Sequence, residues 1–267
     1  MLPLLPLISD YNIQKGSETP VGGDFMDIDP ESPKVDSKVF ASGVMSLYYL
    51  ALRVRRDILF AVTYLSMRIQ DAREKDMKKL MKIFRYIYAT RDYHVILRCK
   101  GTTLVFYVDA SYAIHHNARS HTGFYFTLSE GDVPRDGFNS PIFGKSLVQK
   151  LVSLSSFEAE LNAVHQIVQF FYLLRQFLQE IGFDQSLPSL LLQDNQATIH
   201  VMNHGPSQQS RSRHLNVRIW NLKQLVDTKM IKIIYVPTDE MLADALTKPY
   251  SARSSMIVLK RLLNMLC

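Results

Sequence analysis

Thr103-Leu-Val-Phe-Tyr-Val-Asp109 is short, rich in β-branched and aromatic residues, and ends on an acid. It reads as a buried strand that delivers a carboxylate to its own end. Two more such runs follow, Thr122-Gly-Phe-Tyr-Phe-Thr-Leu128 and Gln149-Lys-Leu-Val-Ser-Leu154, set apart by Gly, Asn and Pro. Then the texture turns helical from about Ser156 to Ile181, with a strand at about Leu190–Gln193 and a helix at about Gln196–Asn203. A polar loop runs through Ser212, a helix continues to about Val226, a strand covers Ile231–Val236, and a short last helix stops at Pro249. Three strands, helix, strand, helices, strand, helix describes an α/β domain whose sheet is mixed and begins with an antiparallel meander.

Working outward, residues 37–90 have a helical pattern. Met77, Leu80, Met81, Phe84, Ile87 and Tyr88 make one apolar stripe, while Lys75, Lys78, Lys79, Lys82 and Arg85 read as the solvated face. Residues 1–36 are rich in Pro, Gly, Ser and Asp and read as an extended acidic lead-in, with seven acids against Lys15 and Lys34. That leaves 29 basic and 18 acidic residues beyond it, within an overall charge of +6. A body of such positive charge suits a polyanionic partner. At 47% hydrophobic and 21% charged the chain is a folded protein, and no stretch approaches the ~20 apolar residues of a membrane span. Met1–Ile8 is greasy but lacks a basic flank and contains two prolines, which argues against a signal peptide. Cys99 and Cys267 build neither a disulfide framework nor a thiolate zinc site, pointing to a reducing compartment.

Four acids sit at the ends of these elements. Asp109 closes the first strand, Asp194 follows the fourth, Glu160 lies near the start of the long helix, and Asp244 lies in the last helix. Brought together they would repel, and divalent cations of the Mg²⁺ or Mn²⁺ type would relieve the repulsion. Glu158 is separable from Glu160. Ser155-Ser-Phe-Glu158 has capping-box spacing, and Glu160 lies about 200° further around the helix. From Asn195 to Val226 there is no acid, while Arg211, Arg213, Arg218, Lys223 and His214 supply positive charge for phosphates. Trp220 reads as core, and His94, His165, His200 and His204 as packing or surface residues.

Tyr107-Val-Asp-Ala-Ser111, Arg119-Ser-His-Thr-Gly123, Lys150-Leu-Val-Ser-Leu-Ser-Ser-Phe-Glu-Ala-Glu-Leu161, Gln193-Asp-Asn-Gln-Ala-Thr-Ile199 and Leu242-Ala-Asp-Ala-Leu-Thr-Lys-Pro249 occur in that order. Together they resemble the ribonuclease H domain at the C-terminus of copia-type LTR retrotransposon Pol polyproteins. Leu47-Tyr-Tyr-Leu-Ala-Leu-Arg-Val-Arg-Arg-Asp-Ile58 and Lys82-Ile-Phe-Arg-Tyr-Ile-Tyr88 resemble the helices that end the reverse transcriptase there. The resemblance implies a ribonuclease H-like five-stranded mixed sheet flanked by helices and preceded by a small helical segment. It divides the chain into the lead-in (1–36), a helical remnant of the reverse transcriptase (37–100), the ribonuclease H domain (101–250) and a basic amphipathic tail (251–267). It implies cleavage of the RNA strand of RNA–DNA hybrids by two Mg²⁺ ions, with Mn²⁺ able to substitute, on Asp109, Glu160, Asp194 and Asp244. Substrate contacts are expected at Arg119, Ser120 and Asn195, and along Arg211, Arg213, His214 and Lys223. The implied partners are the hybrid and the remainder of a Pol polyprotein, whose palm and fingers lie outside this chain. The implied location is intracellular, in a cytoplasmic virus-like particle or the nucleus, and not secreted.

The chain departs from the family pattern at three places. Family members often read Lys-His-Ile-Asp-x-Arg-x-His where Arg213-His-Leu-Asn-Val-Arg-Ile-Trp220 stands, and Arg-Pro-Asp-Ile where Arg55-Arg-Asp-Ile58 stands. Val236-Pro-Thr-Asp-Glu240 lacks the histidine that cellular ribonucleases H often carry. These departures bear on substrate handling and turnover more than on the metal site. Arg56, Asn216 and Trp220 argue for the alternative of a catalytically degenerate, nucleic-acid-binding relic, and the four intact carboxylates argue against it. Tyr107-Val-Asp-Ala110 resembles a polymerase palm box, but Ala110 stands where its second metal-binding carboxylate would be, so no polymerase site is expected. An integrase-type nuclease would order its acids Asp, Asp, Glu, whereas the order here is Asp, Glu, Asp, Asp.

Overall fold

The computed structural model describes residues 13, 15–98, 101–131, 139–206, 213–252 and 256–265. They form two units, one running to Val95 and resuming at Lys248, the other spanning Ile96–Thr247.

In the first unit, α1 (Ser37–Arg53) starts at Asp36, whose carboxylate accepts from the Lys38 and Val39 N–H groups. Its buried face is Phe40, Val44, Leu47 and Ala51, and α2 (Leu59–Ser66) is buried from Leu59 to Leu65. The buried stripe of α3 (Glu74–Ala89) is rotated from the expected one. Leu80, Ile83, Phe84, Tyr86 and Ile87 are covered, whereas Met77, Met81 and Tyr88 are half-buried. Lys79 turns inward with them. Its ammonium donates to the Asp27 carbonyl at 2.6 Å and lies over the rings of Phe25 and Tyr64. The described lead-in residues are therefore packed rather than extended. Phe25 is buried against Tyr64, Ser17 N–H donates to the Arg85 carbonyl, and Lys34 bridges to Arg73.

The second unit holds one five-stranded sheet in the order β3-β2-β1-β4-β5. Its strands are β1 (Thr103–Ser111), β2 (His121–Ser129), β3 (Ser140–Val148), β4 (Ser189–Gln193) and β5 (Ile231–Tyr235). β1 pairs antiparallel with β2, and β2 with β3, while β1–β4 and β4–β5 are parallel. The third strand lies earlier than the sequence suggested, and Gln149–Leu154 is a loop. Pro141 and Gly144 disguise β3, but β3 is the edge of the sheet, where proline is tolerated.

Alternation decides the faces. Leu104, Phe106, Val108, Phe124 and Phe126 join a core with Leu161, Val164, Ile167 and Phe171 of α4 (Ser156–Glu180). Met202 of α5 (Gln196–His204) and Ile219, Leu222 and Leu225 of α6 (Arg213–Asp227) belong to it too. Asp109 and Gly123, offset by one from that set, look to the other face, which is covered by a 3-10 helix at Leu242–Leu246. This is the fold class the resemblance implied. The described C-terminal residues include packed side chains. Leu259 of α7 (Met256–Arg261), with Leu262 and Leu263, is buried, and Lys260 lies over the Tyr93 ring in the first unit.

Candidate active site

β1 and β4 are adjacent parallel strands, so both end at the same edge of the sheet, and Asp109 and Asp194 arrive there together. Ser155 begins α4 by accepting from the Glu158 N–H at 3.1 Å, which fixes where the next turn places Glu160. Carboxylate oxygens of Asp109, Glu160 and Asp194 lie within 4.8 Å of one another. Glu160 is held from two sides: Ala110 N–H donates to Oε1 at 3.2 Å, and the Gln193 amide lies 3.5 Å from Oε2. Burial, then the charges of Asp109 and Asp194, push the Glu160 carboxyl well above its ordinary range, against the opposing pull of those two donors. Three hard oxygen donors that repel one another form a set suited to a divalent cation.

Asp244 is buried in the 3-10 helix. Its carboxylate is not among the 4.8 Å trio, and a link to Asp109 runs through its backbone carbonyl and one hydroxyl. Thr247 Oγ1 donates to Asp109 Oδ2 at 2.6 Å and stands 3.0 Å from the Asp244 carbonyl oxygen. Asp194 is steadied by Thr238 Oγ1, which donates to Oδ2 at 2.9 Å. Gln193 is fully buried, and its Oε1 accepts from the N–H groups of Asp194 and Asn195. The positioning residues Gln193 and Thr247 stand inside quoted motifs, yet neither residue type announces such a role. Glu158 does its structural work one residue earlier than a regular capping box, its Oε2 accepting from Leu154 N–H at 2.9 Å.

No family model matches the chain. It is 30% identical over 210 residues to the retrovirus-related Pol polyprotein from transposon TNT 1-94 of Nicotiana tabacum, covering 78% of this chain. The Pol polyprotein from transposon RE1 of Arabidopsis thaliana matches at the same identity and coverage. The Transposon Ty1-NL2 Gag-Pol polyprotein of Saccharomyces cerevisiae is 26% identical over 206 residues, 75% of this chain. The chain is a homologue of one segment of retrotransposon Pol polyproteins. It spans 15% of the tobacco Pol polyprotein and 11% of the yeast one. Among solved structures, LC11-RNase H1 in complex with RNA/DNA hybrid aligns over 54% of this chain and 93% of its own, at 13% identity and a TM-score of 0.37. The foamy viral protease-reverse transcriptase in complex with RNA/DNA hybrid aligns over 81% of this chain and 27% of its own, at 14% identity and 0.40.

The other candidate residues divide by exposure. Arg119 and Arg213 are exposed, as is His214, whose Nε2 stands 3.8 Å from Glu158. Ser120 is fully buried and shapes its loop, its hydroxyl accepting from Ala113 N–H, so a direct substrate contact does not fit it. Asn195 caps α5 by accepting from Thr198 N–H. Lys223 is engaged by Asp227 at 2.6 Å, and Arg211 lies outside the described residues. Trp220, expected in the core, is 56% exposed. No helix among the described residues is long and apolar enough to cross a membrane.

Proposed function

We propose that the second unit hydrolyses the RNA strand of RNA–DNA hybrids. Asp109, Glu160, Asp194 and Asp244 would hold two divalent cations, Mg²⁺ or Mn²⁺ in its place. The observation that supports this reading is the convergence of carboxylates from β1, α4 and β4 within 4.8 Å. Cations bound there would activate water and offset charge on the leaving oxygen of a phosphodiester. The chain's own groups prepare the site: Ala110 N–H and Gln193 fix Glu160, Thr247 fixes Asp109, and Thr238 fixes Asp194. Arg119, Arg211, Arg213 and His214 would meet the phosphates, with Lys223 joining them once it leaves Asp227. Recognition would rest on backbone shape and 2′-OH groups rather than base edges. In this reading the polymerase body of a Pol polyprotein presents the hybrid, inside the cell.

The test is cleavage of a hybrid labelled on each strand, with Mg²⁺, with Mn²⁺ and with chelator. Only the RNA strand should be cut, and only with metal. Asp109→Asn and Glu160→Gln should nearly abolish cutting. Glu158→Gln should remain active, because the Gln carbonyl can still accept from Leu154 N–H. Activity lost in Glu158→Gln but kept in Glu160→Gln would reverse the assignment. Binding with a steep salt dependence and no cutting under any metal would support the relic reading instead.

A further inference from the structure

Buried Ile219, Leu222 and Leu225 define the inward direction of α6. At 100° per residue, Arg213, Val217, Trp220 and Gln224 fall on the opposite, outward side. Val217 is 64% and Trp220 56% exposed, an apolar surface in the middle of the acid-free stretch. A large exposed apolar group is the informative kind of exception to burial. The indole is also not loose. A β-carbon placed on Gly205 would stand 3.3 Å from its Cη2 and 3.4 Å from Cδ of Lys223, so the ring edge rests on the glycine. Gly205 has φ +86°, a conformation that itself favours glycine. One edge of the ring is therefore seated while much of its surface meets solvent.

The flank of α6 facing α4 is fastened to it: Arg218 hydrogen-bonds Asn162, and His214 stands beside Glu158. Glu158 and Asn162 share a face of α4 that lies about 160–200° around the helix from Glu160, so α6 is a rail fixed within the same unit along the side of α4 turned away from that carboxylate. Cations that track phosphates, interleaved with an aromatic face, are the chemistry that holds unpaired strands. In a duplex the base faces are covered by their neighbours, so an indole reaches one only where the strand is single. We propose that the outward face of α6 binds a single-stranded nucleic-acid segment, with Trp220 stacked on an unpaired base and Arg213 on a nearby phosphate. The proposal rests on the nuclease reading for its ligand, a strand running out of the hybrid.

Trp220 is the sole tryptophan, so indole emission of the full chain reports on it alone. With chelator present, the chain is titrated with a single strand of about 12 nucleotides, with a blunt hybrid, and with that hybrid carrying a single-stranded overhang. The strand and the overhang should quench the emission, and the blunt hybrid should not. By anisotropy of a labelled strand, Trp220→Ala should bind roughly 5- to 100-fold more weakly with an unchanged salt slope, and Trp220→Phe should recover most of the loss. Arg213→Ala should lower that slope by roughly one contact. The proposal is overturned if no strand quenches, if the blunt hybrid quenches as strongly as the overhang, or if Trp220→Ala binds like wild type. A parallel cleavage assay separates the two readings. Quenching without cutting leaves this proposal standing and removes the nuclease, and cutting without quenching does the reverse.

Discussion

Opposite Asp109 on the neighbouring strand stands Gly123, and a methyl group there has nowhere to go. Its β-carbon would meet the Ala243 carbonyl oxygen at 2.6 Å, Thr247 Cγ2 at 2.7 Å and Leu246 Cβ at 2.9 Å. Gly123→Ala should therefore push the 3-10 helix off the sheet. The expected stability cost is about 1–3 kcal/mol by urea unfolding, with hybrid cleavage falling further than stability explains, because Thr247 leaves Asp109. Wild-type cleavage in that variant would show that the 3-10 helix need not sit so close. Two residues before Gly123, His121 is buried, hydrogen-bonded to Ser146 Oγ at 2.6 Å and to His115 at 2.9 Å. Burial, then the neighbouring His115, lowers its pKa from 6.5 to about 3. A histidine depressed in the folded state contributes stability that is full above 6.5 and is lost as pH falls toward 3. The loss should amount to a few kcal/mol across that window. His121→Gln should flatten the fall of unfolding free energy between pH 6.5 and 4, and an unchanged slope would place the acid sensitivity elsewhere. The Arg119-Ser-His-Thr-Gly123 motif was legible as important but not in its role. Its interior residues build the loop and the close approach, and only Arg119 is exposed.

Among the elements, the sequence was most readable where a strand or helix is buried on a simple period. The β1 aromatics, the long α4 and the short β4 and β5 all fall within a residue or two of their expected places. It was least readable where position in the sheet overrides local chemistry. Edge strand β3 keeps a proline that a central strand would exclude, and the inward rotation of α3 depends on lead-in residues that supply partners for Lys79. That the acids would meet was legible from their places at element ends. That Thr247 and Gln193 would hold them was not, since those contacts span 138 and 33 residues. The turn after α1 shows the same dependence. Arg55 forms a two-pronged pair with Asp57, and both its NH groups reach Thr90, while Tyr86 donates to Asp57 at 2.8 Å. Burial and the Asp57 charge raise the Tyr86 pKa, so its hydroxyl stays a donor. Asp57→Asn would leave the Arg55 charge buried without its counter-ion, at a cost of order 3–5 kcal/mol. Replacing both partners with apolar residues should cost less. Denaturant unfolding followed in the first unit checks the pair, and a milder single than double variant would show that the charge is not sealed from water.

At the scale of the whole molecule, a chain of net charge +6 gathers three carboxylates into one knot of negative charge. Without cations, burial and then the charges of Asp109 and Asp194 raise the Glu160 pKa, so gathering these carboxylates at low dielectric costs folding energy. Removing one of those charges should then stabilise the cation-free protein while removing its response to metal. In chelator, Asp109→Asn should unfold at higher temperature than wild type. With Mg²⁺ in ~100-fold excess over its dissociation constant, wild type should gain about 2.7 kcal/mol, and the variant should gain little. The loss of the Thr247 hydrogen bond does not obscure the comparison, because the Asn side-chain oxygen can still accept it. A melt of wild type that ignores Mg²⁺, joined to a cation-free Asp109→Asn that is less stable than wild type, would mean the carboxylates are held as neutral or hydrogen-bonded structural groups. The nuclease reading would then fail at its metal site, whatever the chain binds along α6.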